Sequence, residues 1–239
     1  MYVHSTIKGC SYEMLIVLHK LQNEFCKMVA IFLIGSSHAK RLGYKMANLL
    51  GSVHTVVNLG KSGAKFNQIV WPQVSDVKPG DVFIVLPFGN ELQKQRSRVV
   101  NRVWTIQNYD PISEIEYSNL LDRLRAKLME YPDSLCDKYI VTNFYRCLGL
   151  PTQQVQHPGW LRLQIQFNRI LKSKEASQFF GARTFIIPHQ DIVTDRAPSR
   201  EVSKNWVFYS QLQYDGIHFK DYRIIANRIL DIVRLFSTV

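Results

Sequence analysis

Met28-Val29-Ala30-Ile31-Phe32-Leu33-Ile34 runs straight into Gly35-Ser36-Ser37-His38. A short unbroken apolar run closed by glycine reads as a strand buried on both faces, the kind that parallel sheets contain. Ser37 to Leu50 then reads as a helix closed by Gly51. Parallel strands need a crossover to their neighbour, and a helix supplies one. A buried strand feeding a helix through a tight serine turn therefore points to an α/β fold.

The same alternation continues toward the C-terminus. Val53 to Leu59 reads as a second strand, ending in Gly60-Lys61-Ser62-Gly63. Lys78-Pro79-Gly80-Asp81 is a turn, and Val82 to Leu86 a third buried strand. Pro87 to Pro111 reads as a long irregular loop. Tyr117, Leu120, Leu121, Leu124 and Leu128 recur at helical spacing, so Ile112 to Met129 is a helix. Tyr139 to Thr142 and Thr184 to Ile187 read as the fourth and fifth strands. Between them Trp160, Leu163, Phe167, Ile170 and Leu171 fit a helix, although Leu161, Leu163, Ile165 and Phe167 also alternate as in a strand. Pro188 to Gly216 is a second long loop. Ile225, Ile229, Ile232, Val233 and Phe236 share one face of a last helix. Toward the N-terminus, Tyr12 to Lys27 reads as a short helix. Residues 1–27 are thus expected as a helical extension and 28–239 as one domain. The expected architecture is a three-layer α/β/α sandwich on a five-stranded, mostly parallel sheet. Right-handed crossovers gather the loops that follow the strands at one sheet edge, where a ligand site belongs.

Bulk properties narrow the class. A chain of 239 residues suits one large domain, and 46% hydrophobic with 21% charged residues is ordinary for a soluble globular protein. Lys plus Arg total 30 against 19 Asp plus Glu, a net charge of +11. That excess favours nucleic acid, anionic lipid or acidic substrates as partners, and it equally serves a solvated basic surface. Cys10, Cys26, Cys136 and Cys147 include no CxxC pair, and no histidine cluster lies beside them, which argues against a zinc site. Free thiols fit a reducing compartment, and two bridges remain open. The apolar run at Met28–Ile34 is too short to span a membrane, and the N-terminus lacks a signal-peptide pattern. A soluble, intracellular protein without metal or organic cofactor is expected.

Four segments at that edge can carry chemistry. Ser37, on the turn into a helix, exposes its hydroxyl where the helix N-terminus favours a developing oxyanion. Taken alone, a serine helix cap is the commoner reading of such a turn. Asn58-Leu59-Gly60-Lys61-Ser62-Gly63 lets the backbone approach a ligand, and it lacks the upstream glycine of a phosphate-binding loop. Leu86-Pro87-Phe88-Gly89-Asn90-Glu91 offers an asparagine amide that can donate to an oxyanion, or simply a turn. Tyr214-Asp215-Gly216-Ile217-His218-Phe219 sets a carboxylate and an imidazole three apart before the last helix, and an Asp cap with an unrelated His explains the same residues. His189 rivals His218 as base. Ser36 and, more remotely, Ser62 rival Ser37. His38 should diverge from the neighbouring hydroxyl, and His157 falls in a loop.

In this order, across residues 28–236, the four segments resemble the sequence blocks of SGNH (GDSL-like) hydrolases. The resemblance implies Ser37 as nucleophile, His218 as general base and Asp215 as the group orienting it. It implies an oxyanion hole from the Ser37 and Gly63 backbone N–H groups and the Asn90 side chain. The implied reaction is attack on an ester carbonyl, an acyl-enzyme, and hydrolysis by water. The substrate expected is a small acyl ester, an acetyl group on a larger carrier being one form. The family has Asp where Ser36 stands, Gly where Phe88 stands and Asp where Glu91 stands; none of the three is a triad or oxyanion position. Gly35-Ser36-Ser37-His38 is also similar to the start of esterase domains in first-reading-frame proteins of LINE-type retrotransposons. Lys94, Arg96, Arg98 and Arg102 in one long loop, and Arg196, Arg200 and Lys204 in the other, suggest a basic rim for acidic esters or a nucleic-acid backbone. Two solvated loops explain the same residues. The alternative function is an inactive module of this fold that binds nucleic acid or a protein partner through those loops, with Trp104, Tyr109 and Tyr145 available to stack on bases.

Overall fold

Strand β1 (Ala30–Gly35) shows why its sequence is apolar throughout. Ile31 and Leu33 bury on one face of the sheet, and Phe32 and Ile34 on the other. Each fully buried aliphatic side chain of this kind contributes about 1.5–3 kcal/mol. The computed structural model describes residues 29–88, 90–100, 103–144, 158–193 and 218–236. The expected N-terminal helix lies outside the described residues, as do Cys10, Cys26 and Cys147.

Helix α1 (Ser37–Leu50) follows β1 and ends at Gly51, whose N–H donates to the Ala47 carbonyl at 3.1 Å with φ at 56°. Then come β2 (Thr55–Asn58), β3 (Asp81–Leu86), β4 (Gln93–Val100) and β5 (Val103–Pro111). Helix α2 (Glu114–Met129) leads to β6 (Cys136–Val141). Helices α3 (Pro158–Ser173) and α4 (Ala176–Phe180) precede β7 (Thr184–Ile187). Helix α5 (His189–Val193) and helix α6 (Arg223–Phe236) complete the described strands and α-helices. The central sheet has the order β2-β1-β3-β6-β7, and all its pairings are parallel. This is a doubly wound order whose strand direction of growth reverses beside β1, so the crevice outside its carboxyl end is the natural ligand position.

Two cores sandwich the sheet. Helices α1 and α6 cover Ile31, Leu33, Ile84 and Val141 with Leu42, Met46, Ile225 and Ile229. Helices α2 and α3 cover Ile34, Phe83, Val85 and Ile140 with Leu121, Leu124, Phe167 and Leu171. The expected three-layer α/β/α sandwich is thus what forms.

Two expectations change. Pro87–Pro111 is not an irregular loop: most of it is the antiparallel hairpin β4–β5, with an irregularity at Arg96/Ser97. Its register pairs Lys94 with Asp110 and Arg98 with Thr105, so cross-strand pairing and not an apolar run holds it. The loop after β7 likewise begins with a short helix, α5. Boundaries also move for physical reasons. Helix α2 starts at Glu114 because Ser113 caps it: the Glu116 N–H donates to the Ser113 hydroxyl at 3.2 Å, and the Ser113 N–H donates to the Glu116 carboxylate at 2.9 Å. Strand β6 starts three residues before Tyr139. Its charged positions are paired, Asp137 with Arg183 and Lys138 with Asp133 and the Tyr131 carbonyl.

Candidate active site

The turn between β1 and α1 is fixed by a close approach. Gly35 has φ at 148°, and a Cβ there would lie 2.4 Å from the Leu86 carbonyl oxygen. Only glycine lets β1 end against β3 and turn at once into the helix. Ser36 occupies the cap position, is 2% exposed, and makes no side-chain cap hydrogen bond. Ser37 is the first helical residue. No acidic side chain occupies the first turn of α1, so its positive end is not neutralised from within.

The loop after β2 is clamped onto that helix. Asn58 donates from Nδ2 to the Lys40 carbonyl at 2.8 Å and accepts from the Gly60 N–H at 3.2 Å. A Cβ on Gly60 would sit 2.1 Å from the Lys40 nitrogen, and one on Gly43 would sit 2.4 Å from the Asn58 Cγ. The sequence places Asn58 only at the start of the Gly60–Gly63 segment and gives Gly43 no part. A glycine in a helix interior, which costs about 1 kcal/mol relative to alanine, was the available signal for a close neighbour. Gly63 follows with φ at 72°. Beside it, the Ala64 carbonyl accepts from Asn90 Nδ2 at 2.9 Å. The loop after β3 is thereby tied to the loop after β2, and two of the expected oxyanion donors, Gly63 and Asn90, come to neighbouring positions.

His218 arrives from the other side, just ahead of α6. Its Nε2 lies 2.9 Å from the Ser37 hydroxyl oxygen, across 181 residues of chain. With the serine O–H donating, Nε2 accepts and the ring proton sits on Nδ1. Asp215, expected to orient that ring, lies outside the described residues. The rivals separate cleanly. His38 turns away, with Nδ1 2.8 Å from the Tyr222 hydroxyl. His189 is 1% exposed and is held by the Thr142 hydroxyl at 2.9 Å and Asn168 Nδ2 at 3.2 Å, with its own N–H donating to Thr142 at 2.8 Å. Burial pushes its pKa down to about 3, so it stays neutral and structural. Ser62 is exposed on the Gly60–Gly63 loop.

A small open cavity of about 20 Å³ lies against Ser36 and His38, the residues on either side of Ser37, and neither Ser37 nor His218 lines it. Its walls are Ser36, His38, Leu86, Leu92, Val141, Thr142, Asn143 and Phe144, from the carboxyl ends of β1, β3 and β6. Asn168 anchors the polar end by accepting from the Asn143 N–H at 3.0 Å and donating to its carbonyl at 2.8 Å. Phe88 does not crowd this space: it is fully buried against Phe66 and Tyr117. Glu91, next to Asn90, is largely buried. Desolvation pushes its pKa up to about 7, against the backbone N–H groups of Glu91 and Asn90 and the charges of Lys65 and Arg123.

Of the basic rim, Lys94, Arg96 and Arg98 lie on β4, while Arg102, Arg196, Arg200 and Lys204 lie outside the described residues. Trp104 and Tyr109 lie on β5, and Tyr145 and His157 lie outside. Among the described residues no helix is long and apolar enough to cross a membrane.

Solved structures share this architecture. A protein from Streptococcus pneumoniae described as a "putative platelet activating factor" superposes with a TM-score of 0.55 at 16% identity, covering 93% of this chain and 100% of its own. A "putative acylhydrolase" from Bacteroides fragilis gives 0.51 at 10% identity, covering 95% and 99%. A GDSL-like lipase from Bacteroides thetaiotaomicron gives 0.50 at 10% identity, covering 95% and 98%. The chain therefore has the SGNH (GDSL-like) hydrolase fold along most of its length. No protein-family model matches the chain, and no curated protein matches it. The likeness to retrotransposon esterase domains rests on Gly35–His38 alone and gains nothing from these structures.

Proposed function

We propose that this protein is a serine ester hydrolase. The observation that carries the reading is the 2.9 Å contact between the Ser37 hydroxyl and His218 Nε2 at the carboxyl edge of the sheet. In the proposed reaction His218 takes the serine proton as Ser37 attacks an ester carbonyl, and Asp215 steadies the resulting imidazolium. The Ser37 and Gly63 N–H groups and the Asn90 amide receive the oxyanion. The alcohol leaves with the proton from His218, and water then releases the acyl group. No metal or organic cofactor takes part. Descriptions of same-fold proteins as acylhydrolase and lipase agree with this class.

A fluorophosphonate probe tests the reading. Wild-type protein should label at Ser37 and turn over an acetate ester, and Ser37→Ala should do neither. Labelling that survives Ser37→Ala, or none in the wild type, removes the esterase reading and leaves a binding module of this fold. The basic rim is a proposal of the same rank. Lys94, Arg96 and Arg98 occupy alternate positions of β4, in a hairpin that leaves the sheet at the Asn90 end. An acidic ester should then lose affinity steeply as salt rises, while a neutral ester should not.

A further inference from the structure

The Ser37–His218 contact joins two segments far apart in sequence, and a second contact joins the same two segments directly behind it. His38 is the second residue of α1, and Tyr222 immediately precedes α6, where its carbonyl accepts from the Ala226 N–H at 2.9 Å. The Tyr222 hydroxyl and His38 Nδ1 are 2.8 Å apart, and both side chains are buried, at 4% exposure each. The His38 ring lies against the His218 ring, with centroids 5.4 Å apart and planes tilted by 43°. Phe144 and Phe219 flank it at 5.0 and 5.7 Å.

We propose that His38 and Tyr222 form a positioning pair that sets the distance and ring plane of His218 relative to Ser37. The proposal rests on reading Ser37 and His218 as nucleophile and base. A general base must hold its accepting nitrogen in line with the serine hydroxyl, and a carboxylate on the far ring nitrogen controls rotation about only one side. Contact with a second, buried imidazole, inclined at 43° to it, restricts the remaining tilt. The Tyr222–His38 bond works one step earlier, because it fixes the start of α6 to the start of α1, one residue from Ser37 and four from His218. Neither residue touches the reacting atoms, so neither is a catalytic residue.

The two contacts separate by substitution. Tyr222→Phe keeps the ring and removes the hydroxyl. His38→Phe keeps a ring against His218 and removes the bond to Tyr222. His38→Asn keeps an acceptor near the Nδ1 position and removes the ring. Two readings are taken on each: kcat and KM for an acetate ester, and the nitrogen-15 shifts of the His218 imidazole. Tyr222→Phe and His38→Asn should each lower kcat about 10- to 100-fold with KM unchanged, the size expected for a misplacement of about 1 Å. The His218 shifts should move from one dominant Nδ1–H tautomer toward a mixture. His38→Phe should fall between wild type and His38→Asn. Unchanged kcat and unchanged His218 shifts in Tyr222→Phe and His38→Asn overturn the proposal, as does a change confined to KM. The imidazole shifts do not depend on turnover. If wild type proves inert yet the variants move those shifts, the positioning stands and the esterase reading falls.

Discussion

A serine hydroxyl is a weak nucleophile on its own, and the proposed role of Ser37 therefore rests on what surrounds it. His218 Nε2 is within proton-transfer reach at 2.9 Å. The first turn of α1 supplies backbone N–H groups at the positive end of a helix without an internal acid. Asn90, held by its bond to the Ala64 carbonyl, stands beside Gly63. If Asn90 donates to the oxyanion, Asn90→Ala should lower kcat about 10²–10³-fold while KM changes little. An unchanged rate removes it from the hole. Ser37, Asn90 and His218 could be singled out only jointly, through the order of their segments, because each alone has a cap or turn reading at least as common. His38 and Tyr222 could not be, since a histidine after a serine and a tyrosine before a helix carry no spacing signal. Their relation exists only once α1 and α6 are packed side by side.

The elements place those residues through close backbone approaches. The loop after β2 reaches the first turn of α1 only because Gly60 and Gly43 leave room for Lys40 and Asn58. Alanine at Gly60 must push apart the helix that carries Ser37 and the loop that carries Gly63. Gly60→Ala meets backbone atoms that have no rotamer to escape into, so it should destabilise by about 2 kcal/mol or more and lower the melting temperature. Gly43→Ala meets the end of the Asn58 side chain instead and should cost less stability while lowering turnover by displacing that loop. Equal melting temperatures for wild type and Gly60→Ala would show that the loop is not clamped. The strands of the central sheet were readable because burial on both faces leaves an unbroken apolar run, as in β1 and β3. The first half of β6 was not, since Asp137 and Lys138 look like loop residues until Arg183 and Asp133 arrive to pair with them. The hairpin β4–β5 escaped for a related reason. Its polar β4, Gln93–Val100, presents no apolar alternation, and pairing with β5 alone marks it as a strand.

At the scale of the whole molecule, two buried ionisable groups flank the site and pull stability in opposite directions with pH. Glu91 has its pKa raised by burial from 4.5 to about 7, and His189 has its pKa lowered by burial from 6.5 to about 3. Stability rises with pH wherever the unfolded chain binds more protons than the folded one. For Glu91 the folded chain holds the extra proton, so its contribution falls as pH rises from about 4.5 to about 7 and stays low above that. For His189 the unfolded chain holds it, so that contribution rises from about pH 3 to about 6.5 and is complete above. Between about pH 4.5 and 6.5 the two slopes oppose, which flattens the profile of the intact protein. Each pKa unit corresponds to about 1.4 kcal/mol, and the solvent that still reaches Glu91 reduces its share. Replacing Glu91 by Gln removes the falling limb. The melting temperature of Glu91→Gln minus that of wild type should therefore grow more positive from pH 5 to pH 7.5, and thermal unfolding monitored across that range measures it. His189→Gln should show the mirror trend, its difference from wild type growing more positive as pH falls from 6.5 toward 4. A difference that stays constant across the range for Glu91→Gln would mean that its carboxyl ionises alike in folded and unfolded chains, and that burial beside Asn90 does not hold its proton.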